Sequence, residues 1–290
     1  MKTPYTRRAG AMLPAALLFG ALAGCGGGGS GGGSPPPPPP PVLHNMTSVT
    51  VDGGPNVMAP IPNIVYATIT VCAPGSLSNC QSINHVQIDT QSVGLRLLAS
   101  VLTPALAAAL LPTIDATSQN QIFECIPFAD GYSWGPITKV DLQLSSTESV
   151  GGLPTHLIED PAAFKIPAVP ADCPAASGNP NNPENTPATF GANAILGVGA
   201  LLEDCGPACA NSVPPIQAAY YACTAGSSGT CSNINLATAQ QLQNPVATLV
   251  GSDNNGVVLT MPAVASPGAA SATGMPNPAS SSRCWRCAMR

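Results

Sequence analysis

The chain has 290 residues, a formal net charge of −5 and only 8% charged residues, against about 25% in ordinary soluble domains. Its polar surface must therefore be built from Ser, Thr, Asn and Gln. Beyond Cys25, six Lys and Arg stand against fourteen Asp and Glu, a net of −8, which argues against nucleic acid or anionic lipid as a partner bound by charge.

The first 25 residues read as an address. Lys2, Arg7 and Arg8 form a positive start, and AMLPAALLFGALAG is an apolar run too short for a preferred membrane span. The run closes on Leu22-Ala23-Gly24-Cys25, which resembles a bacterial lipoprotein cleavage box. Lipid attachment at Cys25 is the expectation. Gly26 supplies no acidic retention signal, so the expected address is the outer membrane. GGGGSGGGS and prolines 35–41 follow. A flexible coil joined to a polyproline rod of about 20 Å makes a tether that holds a folded body off the membrane.

Eleven cysteines in an exported chain predict disulfides. Cys72 with Cys80, Cys205 with Cys209, and Cys223 with Cys231 are spaced to close small loops. Cys125 and Cys173 remain for a longer link. Cys284-x-x-Cys287 has no second pair placed for a metal site.

In chain order, MTSVTVD (46–52) and IPNIVYATITVC (61–72) are rich in β-branched residues and read as strands. A Cys72–Cys80 hairpin returns the chain as strand 83–89. LRLLASVLTPALAAALL (95–111) reads as a strand end and then a short helix from Pro104. Residues 121–146 read as a β-hairpin turning at Gly-Tyr-Ser-Trp-Gly, and VGGLPTHLIED as another strand. Residues 171–189 read as a surface loop, and FGANAILGVGALL (190–202) as a buried strand entering a tight turn. QQLQNPVATLV and NNGVVLTMPAV read as two further strands. Residues 266–282 lack pattern, and the abrupt basic RCWRCAMR has the look of a frame-shifted or truncated end.

Three motifs occur in a telling order: VQIDTQS, where Asp89-Thr90-Gln91-Ser92 follows a strand; the hairpin bearing Tyr132-Ser133-Trp134-Gly135; and Ile195-Leu196-Gly197. The set resembles the active turn, flap and apolar-apolar-Gly strand of pepsin-like and retropepsin-like aspartic proteases. With its Gly/Ser/Pro tether, GLRLL run and YSWGP hairpin, the chain is also similar to a family of uncharacterised bacterial lipoproteins on that theme. The resemblance implies a mainly β fold: a pepsin-like aspartic-protease N-terminal lobe with one or two short helices and a disordered N-terminus. The implied layout is a signal peptide at 1–25, a tether at 26–43, the lobe at 44–265 and an irregular tail at 266–290.

Aspartic proteases need two carboxylates sharing one proton around a water. This chain shows one. Asp89 would be the catalytic acid, Thr90 and Ser92 the supporting hydroxyls, and Tyr132 and Trp134 the flap. Gln91 stands where that turn wants Gly. If position 91 needs a positive φ, its Cβ adds roughly 1–2 kcal/mol of strain. Either a second lobe is missing, or two chains pair, or the site is not catalytic and the fold serves as a binding or structural module, with a peptide as one candidate ligand. Asp89 can equally be a turn residue accepting backbone N–H bonds. His85, four residues earlier on the same strand, would share its face. No cofactor or metal is expected, because the three His make no cluster with carboxylates.

Overall fold

The computed structural model describes residues 46–56, 63–250, 253–260 and 285–289. The signal segment, Cys25 and the tether lie outside the described residues, as do 261–284.

The body is mainly β. Strands β1 (Met46–Asp52), β2 (Ile64–Cys72), β3 (Cys80–Asp89) and β4 (Val93–Leu98) come first. A 3-10 turn at Ala99–Val101 and helix α1 (Pro104–Ala109) follow. Thr103 accepts the Leu106 N–H at the start of α1 and Pro104 occupies the first turn, where its missing N–H is harmless. Strands β5 (Gln121–Pro127), β6 (Tyr132–Gln143) and β7 (Ser149–Ile158) come next. Helices α2 (Pro161–Phe164), α3 (Asp172–Ala176) and α4 (Pro187–Phe190) lead to β8 (Ala194–Val198). Helix α5 (Pro207–Asn211), β9 (Tyr220–Cys223), β10 (Cys231–Asn233), β11 (Val257–Thr260) and β12 (Trp285–Met289) complete the chain.

Six strands close on themselves in the order β6-β7-β4-β8-β3-β2, with β2 pairing back to β6. The remaining strands extend this barrel-like ring. β5, β9 and β10 continue from β6, and β1, β12 and β11 continue from β2. Aliphatic side chains from every wall fill the ring, among them Val71, Val86, Leu95, Leu97, Val140, Leu153 and Leu196. Burying each contributes about 1.5–3 kcal/mol. β4 is buried along its whole length because it pairs with β7 on one edge and β8 on the other. That is why VGLRLL reads as a continuous apolar run rather than an alternating one.

β8 braces the Asp89 turn. It lies parallel to β3 and antiparallel to β4, so the chain that leaves β3 and turns into β4 is held open by a third strand. Asp89 and Gly94 both stand opposite Gly197. A Cβ at Gly197 would sit 2.6 Å from the Val93 nitrogen and 2.7 Å from the Ser92 carbonyl carbon. Only glycine lets the two backbones come so close.

All four disulfides expected from spacing are present: Cys72–Cys80, Cys125–Cys173, Cys205–Cys209 and Cys223–Cys231. They place the body in an oxidising, extracytoplasmic environment.

Several expectations need correction. Five short helices occur among the described residues rather than one or two. Two of them, α3 and α4, interrupt the segment read as a loop. Residues 240–250 form no strand. Pro245 lacks a donor, and the Asn244 side chain bonds the carbonyls of Gly199 and Leu201 at 2.6 and 3.3 Å. Leu242, Val246 and Leu249 are buried from a loop instead. At the end read as irregular, the backbone of β12 pairs with β1 and β11.

Candidate functional site

Asp89 ends β3 half-buried, Thr90 and Gln91 are exposed, and Ser92 is half-buried. The Gln91 N–H donates to Asp89 Oδ1 at 2.9 Å, closing a local side-chain turn. The Gly199 N–H donates to the Ser92 carbonyl at 2.9 Å, so the strand leaving β8 fastens the turn from behind. Ser92 Oγ is buried without a hydrogen-bond partner.

Gln91 is not strained. It is absent from the positive-φ residues, and the residue that needs the left-handed region is Gly94, at φ +96°. A Cβ on Gly94 would also meet Leu242 at 2.6 Å. The turn spends its glycine three positions later than the expected pattern. His85 does not serve Asp89 either. A one-residue register slip between β2 and β3 bulges the strand near Asn84 and His85, and His85 has φ +49°. Its Nε2 lies 3.4 Å from Asp52 Oδ2, and its ring meets Tyr66 edge-on at 5.3 Å.

The hairpin turns at residues 128–131, before Tyr132, because Gly131 closes it against the Asn182 and Glu184 side of a neighbouring loop. Tyr132 and Trp134 therefore lie within β6. Trp134 is 2% exposed, stacks on Phe123 at 5.1 Å and donates from Nε1 to the Pro167 carbonyl at 3.1 Å. It is a core residue of the outer sheet rather than a mobile flap tip.

Sequence reasoning missed a polar cluster behind the turn. Arg96 on β4 is 1% exposed. Its Nη2 lies 2.7 Å from Glu124 Oε1 and 3.5 Å from Asp204 Oδ2, and its Nη1 donates to the Val93 carbonyl at 2.7 Å. The Tyr220 hydroxyl lies 2.7 and 2.8 Å from the two Asp204 oxygens. His156, fully buried on β7 beside Arg96, brings Nδ1 to 3.2 Å from Glu124 Oε2, though without hydrogen-bond alignment. The residues join the ring (Arg96, His156) to the outer sheet (Glu124 on β5, Tyr220 on β9).

Burial opposes charge on Arg96, but the Glu124 and Asp204 carboxyls outweigh it and raise its pKa. Burial, with Asp204 adding, pushes Glu124 up to about 8 despite Arg96. Burial and then Arg96 hold His156 well below its usual value. Burial thus favours the neutral forms of Glu124 and His156, while Glu124, at the shorter distance, and Asp204 both hold the charge on Arg96. The one signal in the sequence was a lone cation inside an apolar run, which must find a partner once buried.

Two further carboxyls are displaced upward. Glu159, just after β7, is pushed to about 7 by burial. Glu184 is pushed to about 8 by burial and by the Asp130 carboxyl beside it. In the unfolded chain all three glutamates titrate near 4.5. Between there and about 8 the folded state holds more protons, so stability falls as pH rises. His156 works the other way, but only below about 6.5, where the unfolded imidazole takes up a proton that the folded one refuses. The clean window is therefore pH 6.5 to 8. After discounting the partly exposed groups for screening, urea titrations should show a fall of roughly 2 kcal/mol across that window. A flat or rising profile contradicts these assignments.

A model of a family described as proteins of unknown function (DUF3443) matches residues 41–275, and the chain belongs to that family. No curated protein matches it.

Proposed function

We propose that this family member is an exported protein, anchored by lipid at Cys25, whose body is an aspartic-protease-like lobe that binds extended peptide without cleaving it. The observation carrying the reading is the β3–β8–β4 arrangement, with Asp89, Gly197 and Gly94 abreast. A parallel strand threaded between the two arms of a carboxylate-bearing turn is the feature expected from the ordered motifs. The closed six-strand ring supports it. Against catalysis stands the sequence, which supplies one apolar-apolar-Asp-Thr turn and no second, whereas proton-sharing chemistry needs a pair.

A second reading is favoured by Gln91, whose ordinary backbone removes the strain objection. In it, Asp89 is half of a peptidase site completed by a second lobe or a second copy. The test is to incubate the oxidised protein with a peptide library at acidic and neutral pH, measuring both binding and cleavage, with Asp89→Asn alongside. Binding without cleavage is expected. Cleavage that rises with protein concentration and vanishes in Asp89→Asn would overturn the binding reading in favour of the peptidase.

A further inference from the structure

A groove of about 340 Å³ opens beside the start of β6. Its walls come from four separated segments: Tyr132 and Trp134, Glu159 to Pro161, Ala168 and Val169, and Pro183 with Asn185. None of residues 89–92 lines it, so it is distinct from the turn. The Glu159 N–H donates to the Trp134 carbonyl at 3.0 Å, which fixes this residue at the groove's edge. No cation pairs with the Glu159 carboxyl among the described residues. Prolines, Ala168 and Val169 make the walls apolar, and Tyr132 adds a half-buried aromatic ring.

A carboxyl without a cation, set among apolar walls and an aromatic ring, complements one kind of ligand: a cation on an alkyl stem. The methylenes pack on the walls, the ring face attracts the charge, and the carboxylate bonds it. We propose that this groove binds a primary alkylammonium group, presented by a lysine side chain of a peptide partner. The low density of Lys and Arg in this chain leaves the carboxyl free for a cation supplied from outside.

The binding has a built-in pH dependence. Burial holds the Glu159 carboxyl up to about 7, so below that pH it is neutral and attracts an ammonium weakly. Above it the carboxylate forms while the lysine amine stays protonated. Affinity must rise with pH. The other ionisable side chains lining the groove are Tyr132 and Asp160, and the Glu184 N–H donates to the Tyr132 carbonyl at 2.7 Å, with Asp130 beside Glu184.

Calorimetric titration with the tripeptide Ac-Gly-Lys-Gly-amide, its Nε-acetyl form and its norleucine analogue tests this. The lysine peptide should bind at least about tenfold more tightly than either neutral analogue. It should gain roughly tenfold from pH 6 to pH 8, and lose that gain in Glu159→Gln. Asp89→Asn should keep both the preference for lysine over its neutral analogues and the pH gain, which separates this site from the proposed peptide site at the turn. Equal binding of the three peptides, no measurable binding of the lysine peptide, or wild-type affinity in Glu159→Gln would each overturn the proposal. If Glu159→Gln fails to fold, the wild-type pH profile and the acetylated peptide still decide it.

Discussion

Replacing Arg96 with methionine should destabilise the protein by about 3–5 kcal/mol, the range expected when one member of a buried ionic cluster is removed. The stem volume is kept, so the loss is electrostatic rather than a cavity. Three consequences add up. The Glu124 and Asp204 carboxyls lose their shared cation. The Val93 carbonyl loses the 2.7 Å bond from Nη1 and, buried at the mouth of β4, becomes an orphan acceptor. His156, already neutral, cannot compensate by protonation, because burial penalises its charged form.

The companion variant decides whether the effect is electrostatic. Arg96→Met with Glu124→Leu removes one buried acid along with the cation, and should recover part of the loss, since apolar replacement of a buried pair is often neutral. Urea unfolding of the single and double variants measures both. A single variant within about 1 kcal/mol of wild type would mean that the cluster contributes nothing net. Val93 is the residue that follows the turn directly, so the Arg96 variant should also loosen the segment at 89–93. Faster amide exchange at Gln91, Val93 and Gly199 would report that.

The ring was legible where burial and pattern agree. The β-branched alternation of β1, β2 and β3, the β8 run Ala-Ile-Leu-Gly-Val and the proline-started α1 all have local causes, and each formed within a few residues of the expected place. The pairing of Asp89 with Gly197 was not legible in the residues themselves; only the resemblance implied that the Ile195-Leu196-Gly197 strand would lie behind the turn. What could not be read was anything assembled across long separations. Glu124 and Asp204 lie 80 positions apart and look like ordinary surface acids until β5 and the loop before α5 converge on Arg96. Residues 240–250 failed for a related reason. Leu242, Val246 and Leu249 are spaced as a core-facing element should be, but Asn244 and Pro245 direct the backbone to the β8 loop rather than to a sheet edge. Tyr132 and Trp134 were assigned to a turn because two glycines flank them. Only Gly131 is at the turn. Gly135 lies within β6, where a Cβ would meet the Leu157 carbonyl of β7.

Removing the Cys125–Cys173 link is expected to lower stability by about 4 kcal/mol, comparable to the Arg96 effect but by another route. The link closes a loop of 48 residues, and on the chain-entropy account a crosslink of that span restricts the unfolded chain by roughly this amount. The other three bridges span only 4 to 8 residues and should matter less. The native state gives a second reason. Both sulfurs are buried, with Phe123, Trp134, Tyr221 and Cys223 packed around them, and α3 is fastened to β5 at that point. Asp172, beside Cys173, also accepts from the Tyr221 hydroxyl at 2.7 Å, so the helix has one polar anchor left when the sulfurs go. Cys125→Ala with Cys173→Ala should therefore still fold, with a urea midpoint well below that of Cys72→Ala with Cys80→Ala. The outer sheet should open before the ring, since the lost link serves β5 and the Trp134 cluster rather than the β3–β8–β4 core. Quenching of Trp134 fluorescence ahead of the far-ultraviolet β signal would show that order. Coincident loss of both signals would mean that sheet and ring unfold as one unit, with the Arg96 cluster holding them together even without the crosslink.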